Sequence, residues 1–299
     1  MNRRDVLKSM SLAAAASAAV SKFSLSGEQI VKPGKARIRT AICAYSFRNA
    51  LAKKTMTYED LVDMAVDQGV DGLDVTVYWF PETDVDRFLL SLRRRAYLAG
   101  VELPSIAIRT DCCQKEVEAR KKEAAWMRSW VDVADRLGAS HIRVFGGNVP
   151  KGSTEDEAAV WVADTLKRAA DYAGSKGVFL GLENHGGITL QAKRILSIVQ
   201  AVNHPWVGIN LDTGNFRSEP YAQIEMCLPW AVNSQFKVTV SYDDGRREPC
   251  DWDRIMQMFS KAGYKGYVAL EYEEREDPAV AVPRHLKTIR ELARKYSAA

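Results

Sequence analysis

The chain has 299 residues, of which 46% are hydrophobic, 27% charged and 9% aromatic. That composition excludes a disordered chain, a collagen-like repeat and a small disulfide scaffold, while the length admits one large domain or two ordinary ones. Lys and Arg number 42 against 38 Asp and Glu, and beyond the first twenty residues 39 against 37, too even for a basic nucleic-acid surface.

The N-terminus opens with Asn2-Arg3-Arg4-Asp5-Val6-Leu7-Lys8, then a short apolar stretch and an alanine-rich run to Val20. A charged start, a short apolar stretch and small residues make a signal-peptide pattern, and the Arg pair makes it twin-arginine. The expected route is export, to the periplasm. The apolar run is too short for a stable membrane span. Residues 1–37 are therefore read as signal and linker, and residues 38–299 as one catalytic domain.

After Arg37 one theme repeats: a short β-rich run, a polar loop, an amphipathic helix. The strand candidates are Thr40–Tyr45, Gly72–Val77, Leu103–Ile108, Ser140–Phe145, Val178–Leu182, Val207–Leu211, Gln235–Val240 and Tyr267–Leu270, with starts 28 to 38 residues apart. Most are continuous apolar runs, as parallel strands covered on both faces should be. Between them lie helical stripes: Tyr58, Leu61, Val62, Ala65 and Val66 behind a Thr57 cap; Trp126, Trp130, Val133 and Leu137; Trp252, Ile255, Met256 and Phe259 behind Asp251. Thr154 with Glu157 reads as a capping box. Gly69, Gly100, Gly138, Gly177 and Gly263 each follow a stripe, where glycine ends a helix in the left-handed conformation. Eight such units predict a (β/α)8 TIM barrel. An open doubly wound sheet is the weaker alternative, because the first strand lacks a glycine-rich phosphate loop. The five cysteines, Cys43, Cys112, Cys113, Cys227 and Cys250, form no C-x-x-C and read as ordinary thiols.

In such a barrel the C-terminal ends of the strands face the active site. Three late strands end in an acid: Leu182-Glu183, Leu211-Asp212 and Leu270-Glu271. Three partly desolvated carboxylates at one mouth repel one another, and a divalent cation would relieve the repulsion. The seventh strand offers Gln235 as a fourth, amide-oxygen ligand. This all-oxygen set favours Mn²⁺ or Mg²⁺, with Co²⁺ and Zn²⁺ as alternatives. His185, Lys237, Arg217 and Arg143 are candidate substrate contacts. Tyr45, Tyr78, Trp79, Arg109 and Asp111 end earlier strands and are candidate pocket walls. His141 and His204 read as structural.

The segments Leu182-Glu183-Asn184-His185-Gly186-Gly187, Leu211-Asp212-Thr213-Gly214-Asn215, Gln235-Phe236-Lys237 and Leu270-Glu271-Tyr272-Glu273 stand in order at successive strand ends. Together they resemble the sugar phosphate isomerase/epimerase family of the xylose-isomerase-like barrel superfamily, over nearly all of the chain after Arg37. The resemblance implies that Glu183, Asp212 and Glu271 match three of four metal ligands, and that Glu183 and Glu271 act as acid and base. Gln235 stands where that family usually has a His, Val238 where it has an acid, and Asn215 where ketose epimerases often have a substrate-contacting His. The expected activity is a metal-dependent isomerase or epimerase of sugars or sugar-like carbonyl compounds, working through an enediolate. The alternative is a keto-sugar or keto-glycoside dehydratase or lyase using the same enolate, and a third reading is a non-catalytic sugar-binding barrel. An endonuclease, the related nucleic-acid activity, is disfavoured by four histidines and a near-neutral charge. The implied partner is a small sugar or polyol, and a homodimer is left open.

Overall fold

The computed structural model describes residues 29–31 and 33–297, so the twin-arginine segment lies outside the described residues. Eight parallel strands close into a barrel: β1 (Arg37–Cys43), β2 (Gly72–Thr76), β3 (Glu102–Ala107), β4 (His141–Val144), β5 (Phe179–Glu183), β6 (Val207–Asp212), β7 (Ala231–Phe236) and β8 (Lys265–Leu270). Each pairs with its sequence neighbours, and β8 closes onto β1 with Arg37 opposite Lys265 and Ile42 opposite Leu270. The helices on the outside are α1 (Tyr58–Gln68), α2 (Val85–Ala99), α3 (Val117–Leu137), α4 (Glu155–Ser175), α5 (Ala192–Val202), α6 (Pro220–Cys227), α7 (Trp252–Ala262) and α8 (Pro278–Tyr296). The expected (β/α)8 barrel is therefore the fold. Among the described residues no helix is long and apolar enough to cross a membrane.

The caps act where the sequence places them. Thr57 with Asp60 and Thr154 with Glu157 form reciprocal capping boxes, and Asp251 accepts from the Arg254 N–H. Gly69, Gly100, Gly138 and Gly263 end α1, α2, α3 and α7 in the left-handed conformation.

Three readings need correction. The seventh strand lies four residues earlier than expected, so Gln235 stands near its end; Thr239–Ser241 pairs instead with Arg247–Pro249 in a small antiparallel hairpin. Val66 is 49% exposed and leaves the α1 stripe. Trp126 also leaves its stripe: the buried face of α3 is Arg120, Ala124, Met127, Val131, Ala134 and Leu137, while Trp126 is 39% exposed.

The main apolar core fills the space between strands and helices, whereas the barrel interior is partly polar. Asn233 Nδ2 donates to Asp74 Oδ2 (3.2 Å) and to Asn210 Oδ1 (2.9 Å). Asn210 Nδ2 in turn donates to Gln235 Oε1 (3.0 Å), and Gln235 Nε2 faces Cys43 Sγ at 3.7 Å. His141 is structural, as expected: its Nδ1 pairs with Ser105 Oγ at 2.8 Å, and burial pushes its pKa down to about 3. All five cysteines are free thiols, four of them buried.

Candidate active site

A cavity of about 740 Å³ opens at the C-terminal ends of the strands, lined by Glu183, Glu271, Glu273, Lys237, Arg143 and His185 among others. Glu183 ends β5 and is 2% exposed. Its Oε2 lies 3.0 Å from Arg143 Nε on the adjacent β4, and its Oε1 accepts from Asn215 Nδ2 (3.3 Å). Arg143 is itself buried; it also donates to the Ile108 carbonyl (3.1 Å) and stacks 4.0 Å over the Phe145 ring.

Asp212 ends β6 and is fully buried. Its Oδ1 accepts the Gly214 N–H (2.8 Å). Its own backbone is pinned by Asn184, whose Oδ1 accepts the Asp212 N–H and whose Nδ2 donates to the Asp212 carbonyl, both at 2.9 Å. Lys237, just past β7, places Nζ 3.1 Å from Glu271 Oε2 and 3.5 Å from Asp212 Oδ2, and also pairs with Glu273. Two buried cations thus stand among four carboxylates.

Burial raises Glu183 well above the usual carboxylate range; Arg143 opposes this, while Asp212 and Glu271 add to it. Burial likewise pushes Asp212 up to about 7, against the pull of Lys237. For Lys237 burial acts downward, but Asp212, Glu271 and Glu273 outweigh it and hold the ammonium well above its ordinary value. Burial opposes ionisation of Glu273 too, yet Lys237 keeps it below its usual value. His185 stacks on Phe145 with centroids 4.0 Å apart and keeps one edge exposed; partial desolvation in the cleft, followed by Arg143 and Lys237, lowers it to about 4.

Of the residues singled out in the sequence, Glu183, Glu271, Lys237, Arg143 and His185 meet in the cavity, as do Tyr45, Tyr78, Arg109 and Asp111. Arg217 does not: it is exposed and lines a neighbouring cleft of about 120 Å³. Glu273, two residues beyond Glu271, also lines the cavity, and that spacing is its only signal in the sequence. Glu123 and Asn148 line the cavity with no signal in the sequence beyond residue type, and Trp126, whose spacing reads as core, lines it as well.

A divalent ion can be tested against these donors. Glu183 Oε2 and Asp212 Oδ2 are buried oxygens that accept no hydrogen bond, which suits a cation, although Arg143 Nε already stands 3.0 Å from the first and Lys237 Nζ 3.5 Å from the second. Gln235 and Glu271 are 1% and 5% exposed at the ends of the adjoining strands. Against this, Gln235 Oε1 already accepts from Asn210, and Lys237 holds Asp212 and Glu271. Among the described residues no three His, Cys, Asp or Glu side chains converge on one ion position. The set suits a hard cation by donor type, with Lys237 as the charge an ion would have to displace before the donors could converge.

Residues 62–292 match the family of xylose isomerase-like TIM barrels. Similar solved structures include a D-psicose 3-epimerase with D-tagatose from Clostridium cellulolyticum H10, 15% identical, covering 86% of this chain and 99% of its own, with a TM-score of 0.69. The IOLI protein with a bound zinc atom is 14% identical, covering 87% and 100%, with a TM-score of 0.69. A probable 3-DHS dehydratase involved in petrobactin synthesis, from Bacillus anthracis, is 17% identical, covering 85% and 98%, with a TM-score of 0.61. At these identities the likeness is one of fold. No curated protein sequence matches the chain.

Proposed function

The chain belongs to the xylose isomerase-like TIM barrel family, and on that premise we propose that it is an isomerase or epimerase of sugars or sugar-like carbonyl compounds. The reaction moves a proton at the carbon beside the carbonyl. The observation that carries this reading is the placement of Glu183 and Glu271 in one cavity, each against a buried cation, Arg143 and Lys237 respectively.

Proton transfer beside a carbonyl needs a base over the C–H bond and stabilisation of the oxygen that gains charge. Glu183 and Glu271 reach the cavity from β5 and β8, so a substrate between them can lose the proton beside its carbonyl to one, and the flat enediolate that forms can receive a proton from the other. Burial lifts Glu183 toward the pH at which a carboxyl both takes and returns a proton. Lys237 and Arg143 place positive charge where the oxyanion develops, and the surrounding burial strengthens their effect. His185, with its pKa near 4, is a neutral imidazole at physiological pH and serves as a hydrogen-bond partner for a substrate hydroxyl. Glu183, Asp212, Gln235 and Glu271 would hold a divalent ion, Mn²⁺ or Mg²⁺ by donor hardness, whose chemistry is to polarise the carbonyl oxygen.

One observation favours a second outcome. The cavity extends well beyond the acids to residues of the third βα unit, leaving space for a departing group, so the same enolate could expel a β-substituent as a lyase does.

The test is solvent deuterium incorporation into a panel of keto-sugars, with and without added Mn²⁺, by the parent, Glu183→Gln and Glu271→Gln. The parent is expected to incorporate deuterium, and each variant to lose at least about a hundredfold in rate. Near-normal exchange in either variant removes that residue from the acid–base pair. Sugar binding without exchange in the parent would favour the sugar-binding barrel.

A further inference from the structure

The cavity is larger than one sugar ring requires. At about 30 Å³ per water, its volume of about 740 Å³ is room for about 25 waters, and its lining runs on past the acids to a second wall. The acids belong to β5, β6 and β8 and the segment just beyond them. The far wall belongs to the third unit: Arg109 and Asp111 after β3, and Glu123 and Trp126 on α3.

That wall is built and held. Glu123 Oε1 accepts the Asp111 N–H at 2.9 Å, tying α3 to the loop. Asp111 Oδ1 accepts the Cys113 N–H at 3.2 Å. Arg109 lies 4.8 Å over the Tyr78 ring. Trp126 is braced edge-on by Trp130, with centroids 5.9 Å apart, yet stays 39% exposed. Gly147, at φ +94°, lets the opposite loop come so close that a Cβ there would meet Asp111 Oδ1 at 2.0 Å. An indole held open to a cavity beside two carboxylates and a guanidinium matches a sugar ring: apolar C–H face on the aromatic, hydroxyls on the charged rim.

We propose that Trp126, Glu123, Asp111 and Arg109 form a second ring-binding subsite, and that the substrate is a two-ring keto-glycoside. Its keto-sugar ring lies between Glu183 and Glu271, and its second sugar ring lies on Trp126. This assignment of substrate class rests on the reaction proposed above.

The experiment measures affinities of the full chain by calorimetry for two ketohexoses, fructose and psicose, and three ketose-containing disaccharides, lactulose, isomaltulose and turanose. At least one disaccharide is expected to bind about tenfold or more tightly than either ketohexose. Trp126→Ala should cancel that gain and leave the ketohexose affinities unchanged, while Trp126→Phe retains part of it. No gain for any disaccharide, or a gain that survives Trp126→Ala, overturns the subsite. If Trp126→Ala does not fold, Trp126→Phe and Glu123→Gln carry the same comparison. Deuterium exchange into the bound sugars is read in parallel. Exchange into ketohexoses without a disaccharide gain refutes the subsite and keeps the reaction; a Trp126-dependent gain without exchange refutes the reaction and keeps the subsite.

Discussion

Asp212→Asn tests the electrostatics of the site through stability rather than turnover. Asp212 is fully buried, and burial pushes its carboxyl up to about 7 from the ordinary 3.8. Between these values the folded state binds more protons than the unfolded state, so this group makes stability fall as pH rises through the window. The slope is about 1.4 kcal/mol per pH unit for one proton, and the span of about three units makes the total about 4 kcal/mol. Asparagine keeps the shape and can still accept the Gly214 N–H with its Oδ1. It carries no charge, so its share of the slope disappears. The assay is urea unfolding of parent and variant at pH 5, 6, 7 and 8, with a chelator present throughout. The variant is expected to gain on the parent by about 2 kcal/mol from pH 5 to pH 7 and little further above it. Two parallel stability–pH curves, or a variant that loses ground as pH rises, would refute the assignment of this carboxyl as the titrating group.

Asn184→Ala should orphan the buried N–H and carbonyl of Asp212 together, at about 1–3 kcal/mol each. Thermal unfolding should then drop by about 5–15 °C, and a change within a degree would mean that the two bonds are not holding the end of β6. Gly147→Ala combines a left-handed backbone with a Cβ 2.0 Å from Asp111 Oδ1, whereas Gly152, at φ +82°, meets nothing within 4 Å. The first should cost about 2–4 kcal/mol and Gly152→Ala about 1–2; equal losses in chemical denaturation would remove Asp111 as the reason for glycine at 147. His185 should titrate below its ordinary value, near pH 4, by NMR of its ring protons, because the cavity and its cations disfavour the charged ring; a midpoint above 6 would mean that solvent at its exposed edge screens Arg143 and Lys237.

The strand-end acids were legible because a carboxylate directly after an apolar run is costly anywhere but a functional mouth. Helix caps were legible for the same local reason. The seventh strand was misplaced because Ala231–Phe236 turns Asn233 and Gln235 into the barrel, while the β-branched run Val238-Thr239-Val240 just after it read as the stronger strand. Trp126 sits at helical spacing from Trp130, which reads as core; only the way α3 lies on the barrel decides that its ring meets the cavity. The Arg143–Glu183 and Lys237–Glu271 pairs each bridge consecutive strands, and only the parallel register of β4 on β5 and β7 on β8 sets the partners side by side.

The amides inside the barrel carry a directional message. Asp74, when ionised, can only accept, so Asn233 must turn its NH₂ toward it. Asn210 must then offer its oxygen to Asn233 and its NH₂ to Gln235, leaving the Gln235 NH₂ to face Cys43. No one of the three can flip without setting like against like, oxygen on oxygen or NH₂ on NH₂, at a neighbouring link. They are one compass needle with three segments, and a carboxylate on the second strand sets its north. Asp74→Asn would unlock that polarity and free the Gln235 amide to rotate, a mutation that touches no substrate yet changes which atom the seventh strand presents to the acids above.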